Sequence, residues 1–163
     1  MRLEVIILAA GEGTRMQSSI PKVLHTVGGR PLLDHVVSVA RELKPDALHV
    51  VVGRSGPDVQ AYFEGTDVAW VEQIEQKGTG HAVMQAIDDV ESSAMVLVLF
   101  GDVPLIEKVT LEACISAADD GIGVVTVDMA VPDGFGRIQR RADGQIEAIV
   151  EDRDATPAQR TIT

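Results

Sequence analysis

The chain is expected to fold as an α/β protein: a Rossmann-like, mostly parallel sheet with flanking helices and a β-hairpin excursion near its end. Three features of the 163-residue sequence predict this. Runs such as VIILAA and AMVLVLF are continuously apolar rather than alternating, which marks strands covered on both faces. Segments with apolar residues at helical spacing lie between them, the pattern of strand–helix–strand units. From residue 136 the rhythm changes to apolar–polar alternation around Asp143-Gly144, a hairpin signal.

The first strand is expected at 3–8. A glycine-containing turn and Pro31 lead from it into a helix at 32–43, where Leu33, Val36, Val37, Ala40 and Leu43 share one face. Pro45 stops that helix. A strand at 47–53, a short helix at 56–65 closed by Gly65, and a strand at 68–73 follow. A helix at 80–90, a buried strand at 94–102 and a helix at 105–120 continue the alternation, and a further strand is expected at 122–130. The hairpin takes 136–152, and Thr156 is placed to cap a last helix of barely one turn. The expected organisation is one domain over 1–163, incomplete at its C-terminal end.

Charge and composition exclude several classes. With 14 Lys and Arg against 25 Asp and Glu, the net charge is −11, the wrong sign for general nucleic-acid binding. A nucleotide remains open, because a phosphate pocket needs only a few local cations, backbone N–H groups and a divalent metal. The apolar runs are too short to cross a bilayer, and a secretory signal is not expected, since the first residues lack a charged start followed by a long apolar run. Cys114 is the single cysteine, which excludes an internal disulfide and suits a reducing cytoplasm; it is expected to be buried and inert.

The stretch LAAGEGTRM, residues 8–16, raises the chemical question. The dinucleotide fingerprint would need glycine where Met16 stands, and the Gly-x-x-x-x-Gly-Lys-Ser/Thr phosphate loop is absent. What remains is a strand ending in Ala9 and Ala10, then Gly11 and Gly13, a hydroxyl and an arginine. Small residues let a base or phosphate approach the backbone, and the glycines free N–H groups for oxygen anions. Arg15 adds a fork of donors and Lys22 a mobile point charge. The alternative is a plain strand-to-helix turn with two solvated cations.

Two further turns share the character of the first. In EQIEQKGTGHA, residues 72–82, Gln73 offers an amide that can read a base edge, and Gly78 and Thr79 open a helix. A capped helix start is the alternative there, with His81 as a packing or hydrogen-bonded structural residue. In VLVLFGDVP, Asp102 stands just past a buried strand, placed either to hold magnesium or to cap a helix. All three turns fall at the same edge of a parallel sheet, where such folds bind ligands.

The motifs LAAGEGTRM, PKVLHTVGGRPLLDHV, EQKGTGHAV, LFGDVPLI, GFGRI and IVEDRDAT, in this order over nearly the whole chain, resemble the sugar-nucleotide pyrophosphorylases. The similarity is in particular to the uridylyltransferase domain of the bacterial bifunctional N-acetylglucosamine-1-phosphate uridylyltransferase/glucosamine-1-phosphate acetyltransferases. The resemblance implies a glycosyltransferase-A-like nucleotidyltransferase fold, Mg2+ as cofactor, and UTP and N-acetylglucosamine 1-phosphate as substrates. By it, Leu8, Ala9 and Gly11 lie at the base, and Gly13, Thr14 and Arg15 along the phosphates. Lys22 contacts phosphate, Gln73 reads uracil with Gly78 and Thr79 beside it, and Asp102 holds magnesium. Gly136 and Glu151 hold the amino sugar. Arg15 and Lys22 are the implied catalytic residues, stabilising charge on the departing pyrophosphate.

The chain departs from that family in two respects. Phe100 stands where the family often has tyrosine, and within these 163 residues no counterpart is expected for the family's asparagine that completes the metal site or for its β-helix acetyltransferase domain. A pyrophosphorylase for another sugar phosphate or nucleotide is the near alternative. An isoprenoid-pathway cytidylyltransferase shares the Gly-x-Gly-x-Arg-Met turn but lacks GTGHA. A non-catalytic nucleotide-binding module is the alternative from another class. The expected protein is cytoplasmic, binds no nucleic acid or membrane, and is monomeric as this chain, whereas the family forms trimers through the absent domain.

Overall fold

A computed structural model describes the chain except for residues Met1, Glu12, Thr14, Arg15, Asp119 and Asp120. It divides into two compact units, Met1–Asp119 and Asp120–Thr163. In the first, β1 (Leu3–Ala9) is followed by a one-turn 3-10 helix at Lys22–Leu24 and a short antiparallel ribbon, β2 (Thr26–Val27) and β3 (Arg30–Pro31). Then come α1 (Leu32–Glu42), β4 (Ala47–Val52), α2 (Gly56–Tyr62), β5 (Ala69–Glu72), α3 (Thr79–Ala86), β6 (Met95–Phe100) and α4 (Lys108–Ala118).

The strands form a four-stranded, wholly parallel sheet in the order β5-β4-β1-β6. Alternation along β1 divides the core. Val5, Ile7 and Ala9 pack with Leu33, Val36, Val37 and Ala40 of α1, Val59 and Phe63, and Leu111 of α4. Ile6 and Ala10 pack on the other face with Val51 and with Ala82 and Ala86 of α3. Two covered faces explain why these strands read as continuous apolar runs. The chain moves outward from β1 through β4 to β5, then returns to place β6 on the opposite side of β1. That reversal opens a crevice beyond the carboxyl ends of β1 and β6, the place where open α/β sheets take their ligands.

One polar pair interrupts the α3 face. Glu4 and His49 are buried at 1% and 4% exposure, and His49 Nε2 lies 3.1 Å from Glu4 Oε2. Arg2 Nε donates to Glu4 Oε1 at 3.0 Å, and the Glu91 amide donates to the same oxygen at 3.3 Å. Burial pushes the Glu4 carboxyl up, but the hydrogen bonds from His49, Glu91 and Arg2 outweigh it and hold the group below its ordinary range. This pair ties the start of β1 to β4 and to the turn before β6.

The second unit contains the expected hairpin, β7 (Arg137–Arg140) with β8 (Ile146–Val150), paired antiparallel. Gly144, at φ +86°, makes the Asp143-Gly144 turn possible. Thr156 accepts a hydrogen bond from the Gln159 amide at the start of a single 3-10 turn, Gln159–Thr161, in keeping with its expected capping role.

Three expectations need correction. Residues 122–130 form no strand: Ile122, Val125 and Val127 are exposed, and none joins a ladder. β-branched composition supplies propensity, but a strand needs a hydrogen-bonded neighbour. The helix expected at 80–90 ends at Ala86 and tightens into a 3-10 turn at Ile87–Asp89, where the paired aspartates disfavour further α-helix. Cys114, on α4, is only partly buried. Among the described residues no helix is long and apolar enough to cross a membrane.

Candidate functional site

The crevice holds a cavity of about 210 Å³, and all the residues that line it belong to the first unit. Its floor is the end of β1, where Leu8, Ala9, Ala10 and Gly11 run out of the sheet. Ala9 and Ala10 are buried at 2% and 7% exposure, so larger side chains there would close the space. On the β6 side, a Cβ on Gly101 would come within 3.2 Å of the Leu8 carbonyl oxygen and 3.4 Å of Ala9 Cβ. Glycine at 101 thus lets the two strand ends lie together and brings the next residue, Asp102, to the cavity wall.

Lys22 reaches the same wall from the turn after β1. Pro21, itself extended at φ −51° and ψ 136°, is the residue just before the 3-10 turn, and Val23 anchors that turn in the core at 4% exposure. Gly13 fixes the path of the lysine stem: at φ +60°, its Cβ position lies 2.7 Å from Lys22 Cβ. The Lys22 ammonium pairs with Asp102 Oδ2. The chain carries a strongly negative net charge, yet a positive group stands at this mouth.

The third wall comes from the turn after β5. The Gln73 amide nitrogen donates to the Gly78 carbonyl at 3.2 Å and lies 3.0 Å from His81 Nδ1. This matches the reading of His81 as a hydrogen-bonded structural residue. Thr79 opens α3 behind Gly78, whose φ of +99° is a glycine conformation. Gln76 crosses over Gly53: a Cβ on Gly53 would sit 2.5 Å from Gln76 Nε2 and 2.8 Å from the Ala10 carbonyl oxygen. The Gln76 amide can swing aside, but the Ala10 backbone cannot without moving the cavity floor. Gly53→Ala is expected to destabilise the fold by about 1–3 kcal/mol through overpacking, measured by urea unfolding.

Leu8, Ala9, Gly11, Lys22, Gln73, Gly78, Thr79 and Asp102, all expected at a nucleotide site, therefore line one cavity. Gly13 acts behind it, against Lys22. Thr14 and Arg15 lie outside the described residues. Gly136 and Glu151 belong to the second unit, where Gly136 packs 3.3 Å (from its Cβ position) from Ile149 and Glu151 opens the 3-10 turn Asp152–Asp154. Ala10, expected with Ala9 to leave room at the strand end, lines it too, and the cavity also takes in Val23, Gln76 and Ala82, which the sequence alone did not point to. Gln76 had a signal, a second amide three residues beyond Gln73 in the same turn.

Among the described residues lining the cavity Asp102 is the one carboxylate, and no cluster of three or more metal-ligating side chains occurs among the described residues. That donor set fits magnesium better than a caged ion. Magnesium keeps several waters and is commonly held by one or two carboxylates together with substrate phosphates. A cationic group, the Lys22 ammonium, already rests on Asp102, which shows that the carboxylate is placed to take positive charge from the cavity side.

The family model for the MobA-like NTP transferase domain matches residues 5–157. The chain belongs to the MobA-like NTP transferase family. It is similar to "Bifunctional protein GlmU" of Alkalilimnicola ehrlichii, 50% identical over 161 residues, covering 99% of this chain and 35% of that protein. The chain thus spans about a third of the length of the curated relatives it matches. Among solved structures, a UDP-glucose pyrophosphorylase complexed with UDP-glucose superposes with a TM-score of 0.77 at 20% identity, over 99% of this chain and 72% of that one, and shows the same fold. The Mycobacterium tuberculosis protein Rv0371c, solved in complex with manganese, gives a TM-score of 0.57 at 26% identity, over 76% of this chain and 68% of that one. The fold class and the family resemblance read from the motifs both agree with membership of the NTP transferases.

Proposed function

We propose that this chain joins UTP to N-acetylglucosamine 1-phosphate, giving UDP-N-acetylglucosamine and pyrophosphate for cell-wall precursor synthesis in the cytoplasm. One observation carries the reading: Leu8, Gly11, Lys22, Gln73, the Gly78-Thr79 helix start and Asp102 surround a single cavity at the reversal point of the sheet. The name shared by relatives about half identical to this chain supports the uridylyl and N-acetylglucosamine assignment. On this reading both units belong to one nucleotidyltransferase domain.

A phosphate oxygen of the sugar phosphate attacks the α-phosphorus of UTP, the bond to the bridging oxygen of the β-phosphate breaks, and pyrophosphate departs. Phosphate is already nucleophilic, so positioning and charge neutralisation carry the catalysis. Ala9, Ala10 and Gly11 leave room for the nucleotide against the strand ends, and Gln73 meets the base. Lys22 and Arg15 balance charge growing on the leaving group. Asp102 would hold magnesium, which when bound neutralises phosphate charge. Gly136 and Glu151 are assigned to the amino sugar by the family resemblance.

The test is pyrophosphate release by the chain supplied with UTP, magnesium and either N-acetylglucosamine 1-phosphate or glucose 1-phosphate. Release is expected with the first sugar and much less with the second. Binding of UTP without release would favour the second reading, a nucleotide-binding module. That reading draws support from the single carboxylate among the described cavity residues.

A further inference from the structure

Gln73 is only 3% exposed, so each end of its amide has to be met by a fixed partner or by a ligand. The end facing the Gly78 carbonyl, 3.2 Å away, must be the NH2 group, because a carbonyl oxygen only accepts. The same NH2 lies 3.0 Å from His81 Nδ1. That nitrogen therefore carries the lone pair, and the proton of the neutral ring sits on Nε2. The Gln85 amide nitrogen lies 3.5 Å from Nε2, and both contacts cannot be donations to a neutral ring. The shorter one, to the buried Gln73, decides.

Both amide hydrogens of Gln73 are then committed to the protein. Its Oε1 accepts no hydrogen bond among the described residues, yet it is not among the buried atoms left unpaired. Gln73 lines the cavity, so this oxygen is the acceptor offered to whatever enters.

We propose that His81 is a positioning residue for base selection. By accepting from Gln73 it keeps Oε1 turned to the base, so the site takes a base with a ring N–H and rejects one with a ring lone pair there. Uracil carries N–H at N3, whereas cytosine presents a bare N3 acceptor. This selection rests on the nucleotide reading of the cavity given above. Gly78 shares the task, since its φ of +99° aims the carbonyl that fixes the other hydrogen.

The test compares dissociation constants of UTP and CTP, with magnesium, for the full chain as wild type, His81→Phe and His81→Gln. Phenylalanine keeps a ring but offers no acceptor, so only the Gly78 carbonyl still holds the Gln73 amide, and the turned form that presents N–H to cytosine gains population. The preference for UTP over CTP is expected to fall about tenfold, near the worth of one neutral hydrogen bond, as UTP weakens and CTP gains. His81→Gln, whose side-chain oxygen accepts, should recover much of that preference even where its melting temperature matches that of His81→Phe. Equal loss for both nucleotides would mark a packing role and overturn the proposal, as would a glutamine variant no more selective than phenylalanine. A folded wild type that binds neither nucleotide would instead overturn the nucleotide reading, and the proposal with it.

Discussion

Lys22→Ala is expected to slow pyrophosphate release by about two to three orders of magnitude, the scale seen when one preorganised charge donor is removed from a transition state. The melting temperature should barely move. Lys22 and Asp102 keep side-chain exposures of 38% and 31%, and a pair open to water to that degree contributes at most about 1 kcal/mol of stability. The loss therefore belongs to the reaction and not to the fold. Asp102→Asn should also leave the fold intact while weakening the dependence of turnover on magnesium concentration. Turnover followed against magnesium for both variants, beside their melting temperatures, separates the two roles. An effect of Lys22→Ala below about tenfold would remove the lysine from the catalytic group.

The largest effect on stability is expected from Glu4→Ala, about 3 kcal/mol, because removing one partner of a buried polar pair leaves the other unmet. His49 would lose its partner at 4% exposure, and its Nδ1 is already buried without a hydrogen bond among the described residues. The Glu91 amide would lose its acceptor as well. Urea unfolding at neutral pH measures the change. The sign of the pH dependence follows from the lowered carboxyl pKa of folded Glu4. Its contribution is fully present above the unfolded-state value of about 4.3 and is lost as pH falls through the lower folded value. Glu4→Gln should flatten that acid limb of the stability profile, and an unchanged limb would assign acid sensitivity to other carboxylates.

Much of this molecule is legible from residue order, for identifiable reasons. The parallel core shows because two-sided burial writes unbroken Val, Ile and Leu runs, as in β1 and β4. Lys22, Gln73 and Asp102 could be picked out because each follows a strand, and parallel topology brings such turns to one edge. Residues 122–130 misled because β-branched composition says nothing about whether a neighbouring strand is present. Val23 was hidden because its place at the cavity depends on how the turn after Pro21 folds, whereas Gln76 left only the mark of a second amide in the Gln73 turn. Glu4 and His49 had a readable mark, one charged or polar residue inside each of two apolar strands, but their pairing emerges only from the register that sets Ile6 beside His49.

On the proposed function, this cavity binds UTP through Lys22 and Gln73. Thermal unfolding with magnesium and saturating UTP, CTP, ATP or NAD, on wild type and Lys22→Ala, tests it most directly. A ligand at a hundred times its dissociation constant adds about 2.7 kcal/mol of stability. That shift is expected for UTP, a clearly smaller one for the others, and its collapse in Lys22→Ala. Equal shifts for every nucleotide, or a UTP shift that survives the loss of Lys22, would contradict it.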